Sequence, residues 1–279
     1  MTEIAGILFD KDGTLFDFHA TWAGWASSLL LDLAGDDADR ATVLGRAVGY
    51  DMTTRSFARD SVAIAGTPED IGTALLTHLP GASPAGLVAR MNTLAATAHM
   101  IPVAPLAPLM TQLRDRALRI GLATNDAEAA ARSHLAAAGI EALFDFVAGY
   151  DSGFGTKPGP GMLLAYAERC DLAPGQVVMV GDSRHDLLAG RAAGMRTVAV
   201  LTGLALREDL APLADAVLPD IAHLPAWLDR IAGARSGPQP SAPLFVHARA
   251  PAADIGGTAA VRRGTEAAGD TRSRDLMPG

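Results

Sequence analysis

Ile4-Ala5-Gly6-Ile7-Leu8-Phe9-Asp10-Lys11-Asp12-Gly13-Thr14-Leu15 is the stretch that decides how the rest of the chain is read. Its first half is a short aliphatic run, the pattern of a strand buried on both faces, as parallel strands of an α/β sheet are. The run stops at two acids one residue apart, followed by a glycine. Side chains alternate faces along a strand, but the backbone turns at its end. Both carboxylates can then point into the crevice outside the carboxyl ends of the strands, where open α/β sheets bind ligands. Acids this close repel each other unless a cation or a shared proton relieves them. A solvated Asp-x-Asp-Gly turn would use the same residues, so the remainder of the chain has to choose between the two.

Beyond this strand the pattern is helical from about 18 to 100. Trp22, Trp25 and Leu29 recur at three- and four-residue spacing, and further helices are expected near 38–49, 54–65, 69–79 and 84–99. Turn signals at Gly35-Asp36, Gly66-Thr67-Pro68 and Pro80-Gly81 separate them, and no strand pattern interrupts the block. This reads as a helical cap domain, 18–100, inserted after the first strand. The proline-flanked segment Ile101-Pro102-Val103-Ala104-Pro105 leads back out of it.

From about 105 strands and helices alternate. Strands are expected at 119–123, 146–150, 177–181, 197–201 and 216–218, with helices at 106–117, 127–138, 161–170, 184–193 and 224–231. Alternation of this kind predicts an α/β fold, a Rossmann-like parallel sheet flanked by helices. Its core would comprise residues 1–17 and 101–233. The segment 234–279 is rich in Pro, Gly, Ala and Arg without sustained periodicity, and is expected to be disordered.

Composition narrows the possible partners. A formal net charge of −8 leaves no basic excess to neutralise phosphates, which argues against a general nucleic-acid or anionic-membrane binder. Cys170 is the single cysteine, so no intrachain disulfide can form. No apolar run reaches the roughly 18 residues of a membrane span, and Met1-Thr2-Glu3 lacks the basic start of a signal peptide. A cytoplasmic protein, monomer or homodimer, is the expectation.

Each of four core strands is followed by a polar cluster. These are Asp10 and Asp12 after the first, Thr124-Asn125 after the second, Lys157-Pro158 beyond the third, and Gly181-Asp182-Ser183-Arg184-His185-Asp186 after the fourth. In a parallel sheet these ends lie side by side, gathering carboxylates, a hydroxyl and one ammonium group around a single crevice. Lys11 and Lys157 are the only lysines in the chain, which makes a lysine in the third loop pointed.

With this order of motifs, the chain resembles the haloacid dehalogenase superfamily of phosphohydrolases, with a helical cap inserted after the first motif. Its phosphoglycolate phosphatase-like members are the most similar. The resemblance covers residues 1 to about 232. It implies a Mg²⁺-dependent phosphatase acting on a small anionic, phosphoglycolate-like phosphate monoester through an aspartyl-phosphate. Asp10 is implied as nucleophile and Asp12 as general acid and base. Asp10, Asp182 and the backbone carbonyl of Asp12 would hold Mg²⁺, a cation that takes hard oxygen ligands. Thr124, the Asn125 backbone N–H and Lys157 would hold the phosphoryl oxygens. Asp186 could hold a metal-bound water or orient Lys157.

In the cap, Arg55 and Arg59 at i,i+4 spacing are candidates for a substrate carboxylate, although the pair fits better an exposed face balanced by Asp51 and Asp60. His19 is a further candidate that also suits a packing role. Trp22 and Trp25 read as cap core and His185 as a solvent-facing residue. Lys11 between the two acids is a variant, read as structural; the similar Asp-Lys-Thr-Gly-Thr motif of P-type ion pumps lacks the second acid and comes with membrane helices. Dehalogenases also lack that acid, and phosphonoacetaldehyde hydrolases need a cap lysine that is absent here. A β-phosphoglucomutase-like phosphotransferase and a catalytically silent phosphate-binding protein remain the alternatives.

Overall fold

The computed structural model describes residues 3–236. From β1 (Gly6–Phe9) the chain enters an insertion. It contains α1 (Phe18–Ala34), α2 (Ala38–Ala47), a hairpin of β2 (Tyr50–Asp51) and β3 (Ser56–Phe57), α3 (Val62–Ala65), α4 (Pro68–Leu76) and α5 (Pro84–Ala95). Alternation then begins with α6 (Leu106–Asp115), β4 (Arg119–Ala123), α7 (Glu128–Ala137), β5 (Phe146–Ala148) and α8 (Gly161–Arg169). It continues through β6 (Val177–Gly181), α9 (Arg184–Ala192), β7 (Arg196–Val200), α10 (Arg207–Leu210), β8 (Ala216–Leu218) and α11 (Leu224–Ser236).

Six strands form one parallel sheet in the order β5-β4-β1-β6-β7-β8. The chain leaves β1 toward one edge, then crosses back to β6 and the other edge. This reversal at β1 is the topological switch point at which such sheets open a crevice. Register levels the strand ends: Phe9 pairs with both Leu122 and Val180. Asp10, Thr124 and Asp182 therefore emerge within two residues of one another in height.

Alternation along the strands builds two apolar layers. Ile7, Phe9, Ile120, Leu122, Val178 and Val180 face one side, meeting Leu109 and Leu113 of α6 and Trp227 of α11. Leu8, Ala123, Val177 and Met179 face the other, against Met162, Leu163 and Tyr166 of α8. The Tyr166 ring packs closely over Gly121, where a Cβ would sit 2.5 Å from the ring. Its hydroxyl donates to the Arg119 carbonyl at 2.8 Å.

The insertion has its own cluster, in which Leu29, Leu30, Leu44, Tyr50, Leu75 and Met91 are buried. Local signals set its helix ends. Asp17 accepts from Ala20 N–H to start α1, and Thr67 with Asp70 forms a capping box ahead of Pro68 at the start of α4. Phe18, Trp22, Ala95 and Met100 pack into the cluster of the sheet's own layer.

Two expectations need correction. The helix expected over 54–65 is replaced by the hairpin and the four-residue α3. The Asp51 carboxylate accepts from Thr53 and Thr54 N–H at 2.7 and 3.2 Å, an Asx turn that competes with helix. Arg55 then takes a left-handed φ of 53° and the chain reverses. The last helix runs to Ser236 rather than stopping at 231; the disorder expected from 234 otherwise falls on 237–279, outside the described residues. Among the described residues, no helix is long and apolar enough to cross a membrane.

Candidate active site

The turn after β1 is tight. Leu15 and Phe16 N–H groups both bond the Lys11 carbonyl, and Gly13 N–H bonds the Phe16 carbonyl at 2.7 Å. Gly13 has φ +77°, and a Cβ at Gly13 or at Gly203 would collide with the Asp182 carboxylate. These two glycines thus let backbone close around Asp182 from both sides.

Asp10, Asp182 and Asp186 are all buried, with one oxygen of each lying within 4.8 Å of the others. Lys157, itself buried, spans two of them: its Nζ donates to Asp10 Oδ1 at 2.5 Å and to Asp186 Oδ1 at 2.6 Å. The remaining Asp186 oxygen accepts from the Ser183 hydroxyl at 2.6 Å and backbone at 3.0 Å, capping α9. Both Asp186 oxygens are therefore engaged, which favours the orienting role over that of a water holder. Among the side chains of the described residues, Asp182 accepts only a long 3.4 Å bond, from Thr14 Oγ1.

Burial raises the Asp10 carboxyl to about 7, with Lys157 opposing the rise and Asp186 and Asp12 adding to it. Asp182 is pushed well above the usual carboxylate range by burial and then by Asp10 and Asp186. Lys157 is raised despite its burial, because Asp10 and Asp186 hold the ammonium form. One lysine against three buried acids leaves excess negative charge, and the donors are all hard oxygens. These residues fit a small divalent cation.

Thr124 and Asn125 are buried beside this cluster. The Asn125 side chain accepts from Lys157 N–H and donates to the Lys157 carbonyl, both at 2.9 Å, and also donates to Ala65 O of the insertion at 2.8 Å. Its amide clips the Lys157 loop in place, a role the motif alone did not reveal.

Asp12 is gripped from two sides. Trp22 Nε1 donates to its Oδ1 at 2.7 Å and Lys11 Nζ lies 3.3 Å from its Oδ2. Lys11 is fully buried, ion-paired with Asp126, 3.1 Å from His134 Nδ1 and 5.4 Å from the Trp22 ring centre. His134 Nε2 sits 2.8 Å from the Ala95 carbonyl, which can only accept, so Nε2 carries the proton and Nδ1 receives Lys11. Burial, then Lys11, lowers the His134 pKa and keeps the ring neutral. Burial works against the Lys11 charge, but Asp12 and Asp126 outweigh it and raise its pKa. Lys11 is a structural cation bracing the second acid.

A cavity above the cluster is lined by Asp10, Asp12, Thr124, Asn125, Lys157 and Asp182, and on its far side by the insertion. The structure thus brings together every core residue singled out from the sequence. It does not bring in the others: His19, Arg55 and Arg59 are exposed and none lines the cavity. The pairing of the arginines through one helix face is lost with the helix. Trp22 and Trp25 pack in the apolar clusters as expected and also line the cavity. His185 lines it as well, against its reading as solvent-facing, and so does Asp126, which the sequence did not single out.

Comparison with known proteins agrees with this geometry. A family model of haloacid dehalogenase-like hydrolases matches residues 4–194, and the chain belongs to that family. Within it the enzyme is phosphoglycolate phosphatase-like. It is 32% identical over 234 residues to the phosphoglycolate phosphatase of Rhodospirillum rubrum, covering 80% of this chain and 90% of that protein. Two solved structures share the fold. A predicted phosphoglycolate phosphatase from Haemophilus somnus superposes with TM-score 0.63 at 20% identity, covering 81% of this chain and 99% of that one. A β-phosphoglucomutase from Clostridium difficile gives TM-score 0.59 at 17% identity, covering 82% and 99%.

Proposed function

We propose that the protein hydrolyses a small phosphate monoester with Mg²⁺ and a phosphorylated Asp10. The observation that carries this reading is the convergence of Asp10, Asp182 and Asp186 to within 4.8 Å around the Lys157 ammonium group. Asp10, Asp182 and the Asp12 carbonyl would hold Mg²⁺, whose charge offsets the repulsion between a carboxylate nucleophile and a phosphate dianion.

The chain's own residues account for the remaining steps. Asp10 attacks phosphorus, forming an O–P bond as the bond to the leaving oxygen breaks. Asp12, fixed by Trp22 and Lys11, gives its proton to that oxygen. The carboxylate left on Asp12 then takes a proton from water as the water attacks phosphorus, releasing phosphate and restoring Asp10. Lys157 and the Thr124 hydroxyl stabilise the nonbridging oxygens throughout.

Turnover of an aryl phosphate by pure protein, dependent on Mg²⁺ and lost in Asp10→Asn, is the expected result. Tight phosphate binding without any turnover would instead support a silent binding protein. The shared fold of the β-phosphoglucomutase keeps a phosphotransferase as the second reading; a requirement for a sugar bisphosphate primer would select it.

A further inference from the structure

The wall of the cavity opposite Asp10 is almost wholly apolar. Phe18, Trp22, Trp25, Phe57, Ile71 and Met91 line it, all contributed by the insertion. On the core side stand five carboxylates, Asp10, Asp12, Asp126, Asp182 and Asp186. Among the described residues, Lys157 is the one lysine at the cavity surface, no arginine lines it, and the remaining basic side chain is His185 at the start of α9. Lys157 is already shared between Asp10 and Asp186, and Lys11 behind the surface between Asp126 and Asp12. Among the described residues, a carboxylate on the leaving group would lie against hydrocarbon with no free lysine or arginine to meet it, an arrangement that buried charges avoid.

Two of the residues lining the cavity carry a buried polar atom. Trp25 Nε1 and Asn92 Oδ1 are buried and have no hydrogen-bond partner among the described residues, and both residues line the cavity. Asn92 is held by its other amide atom, which donates to the Tyr150 hydroxyl at 3.0 Å. A buried donor and a buried acceptor left unpaired are costly, and a ligand supplying an acceptor and a donor would satisfy both.

We infer that the leaving group is an uncharged, largely apolar alcohol carrying a neutral hydrogen-bonding group, not an α-hydroxy acid. This rests on the phosphomonoesterase reading above and specifies what that site accepts. Aromatic side chains on two elements, α1 and β3, meet edge to face and give a polarisable surface suited to a ring or a short hydrocarbon chain. Specificity then comes from hydrophobic contact plus two neutral hydrogen bonds, and the carboxylate is rejected by the absence of a partner.

The test separates binding from chemistry. Calorimetry with Asp10→Asn protein and Mg²⁺ compares benzyl phosphate, 3-hydroxybenzyl phosphate and 2-phosphoglycolate, and kcat/KM is measured for the same three with the native chain. Benzyl phosphate is expected to be preferred over 2-phosphoglycolate at least tenfold in both measurements, with the added hydroxyl tightening binding further. Ile71→Lys, which places a cation in the partly buried part of the apolar wall, should move the ratio at least tenfold toward 2-phosphoglycolate. A native preference for 2-phosphoglycolate would overturn the inference while leaving the phosphatase reading intact. Selective binding of benzyl phosphate with no turnover of any ester would uphold the pocket assignment and overturn the reaction. A hydroxyl that gains nothing would overturn the assignment of Trp25 and Asn92.

Discussion

Replacing Lys11 by methionine removes a fully buried cation while keeping most of the side-chain volume. It leaves the Asp126 carboxylate, Asp12 Oδ2 and His134 Nδ1 without the donor they share, and removes the cation from the Trp22 face. Deleting one partner of a buried ion pair costs about 3–5 kcal/mol. Here the acids retain 13% and 16% side-chain exposure, so water can take over part of the lost bonding. The lower end, about 3 kcal/mol, is therefore expected for Lys11→Met. Asp126→Asn leaves Lys11 with Asp12 and should cost about 1–2 kcal/mol. Because the double variant loses the pair only once, it should be more stable than the sum of the singles by at least about 1 kcal/mol. Urea unfolding at neutral pH, with unchanged slope, measures all three. Additive effects, or a Lys11→Met protein as stable as the native chain, would refute the bracing role.

Three further outcomes follow from the site and its supports. Asp182→Asn relieves the repulsion among buried acids, so without metal the variant should melt about 2–4 °C higher, about 1 kcal/mol; it should lose the rise in Tm that Mg²⁺ gives the native chain. Asn125→Ala frees the Lys157 loop, and kcat/KM should fall roughly 100-fold with unchanged circular dichroism, the penalty for a displaced catalytic group. Asp145 accepts from Ile120 N–H and from Arg119, both at 2.9 Å, and pairs with Arg114. Burial opposes its charge, yet these bonds outweigh that and lower its pKa. A depressed carboxyl contributes stability that is complete above its unfolded value, about 3.9, and lost as pH falls through the folded value. Asp145→Asn should cost about 1–2 kcal/mol at pH 7 and flatten the acid limb of the stability profile.

The core of this enzyme was legible because its signals are local. Each sheet strand is a short apolar run, the β6 and β8 boundaries fell where Val177–Gly181 and Ala216–Leu218 now stand, and the polar residues follow the strand ends directly. The hairpin was hidden because two-residue strands are too short to show alternation, while Asp51 acts through its side chain on the backbone. The bracing of Asp12 had no local trace at all: Asp126 and His134 lie 115 and 123 residues from Lys11. Likewise the motif points to the Asn125 backbone N–H, whereas its amide side chain grips a loop 32 residues further on.

The central claim is that Asp10 carries the phosphoryl group between substrate and water. Acid quenching during turnover, followed by borohydride reduction and peptide mass analysis, reads this directly: position 10 should be recovered as homoserine, and only when substrate is present. Full turnover with position 10 recovered as unmodified aspartate at every quench time would contradict it.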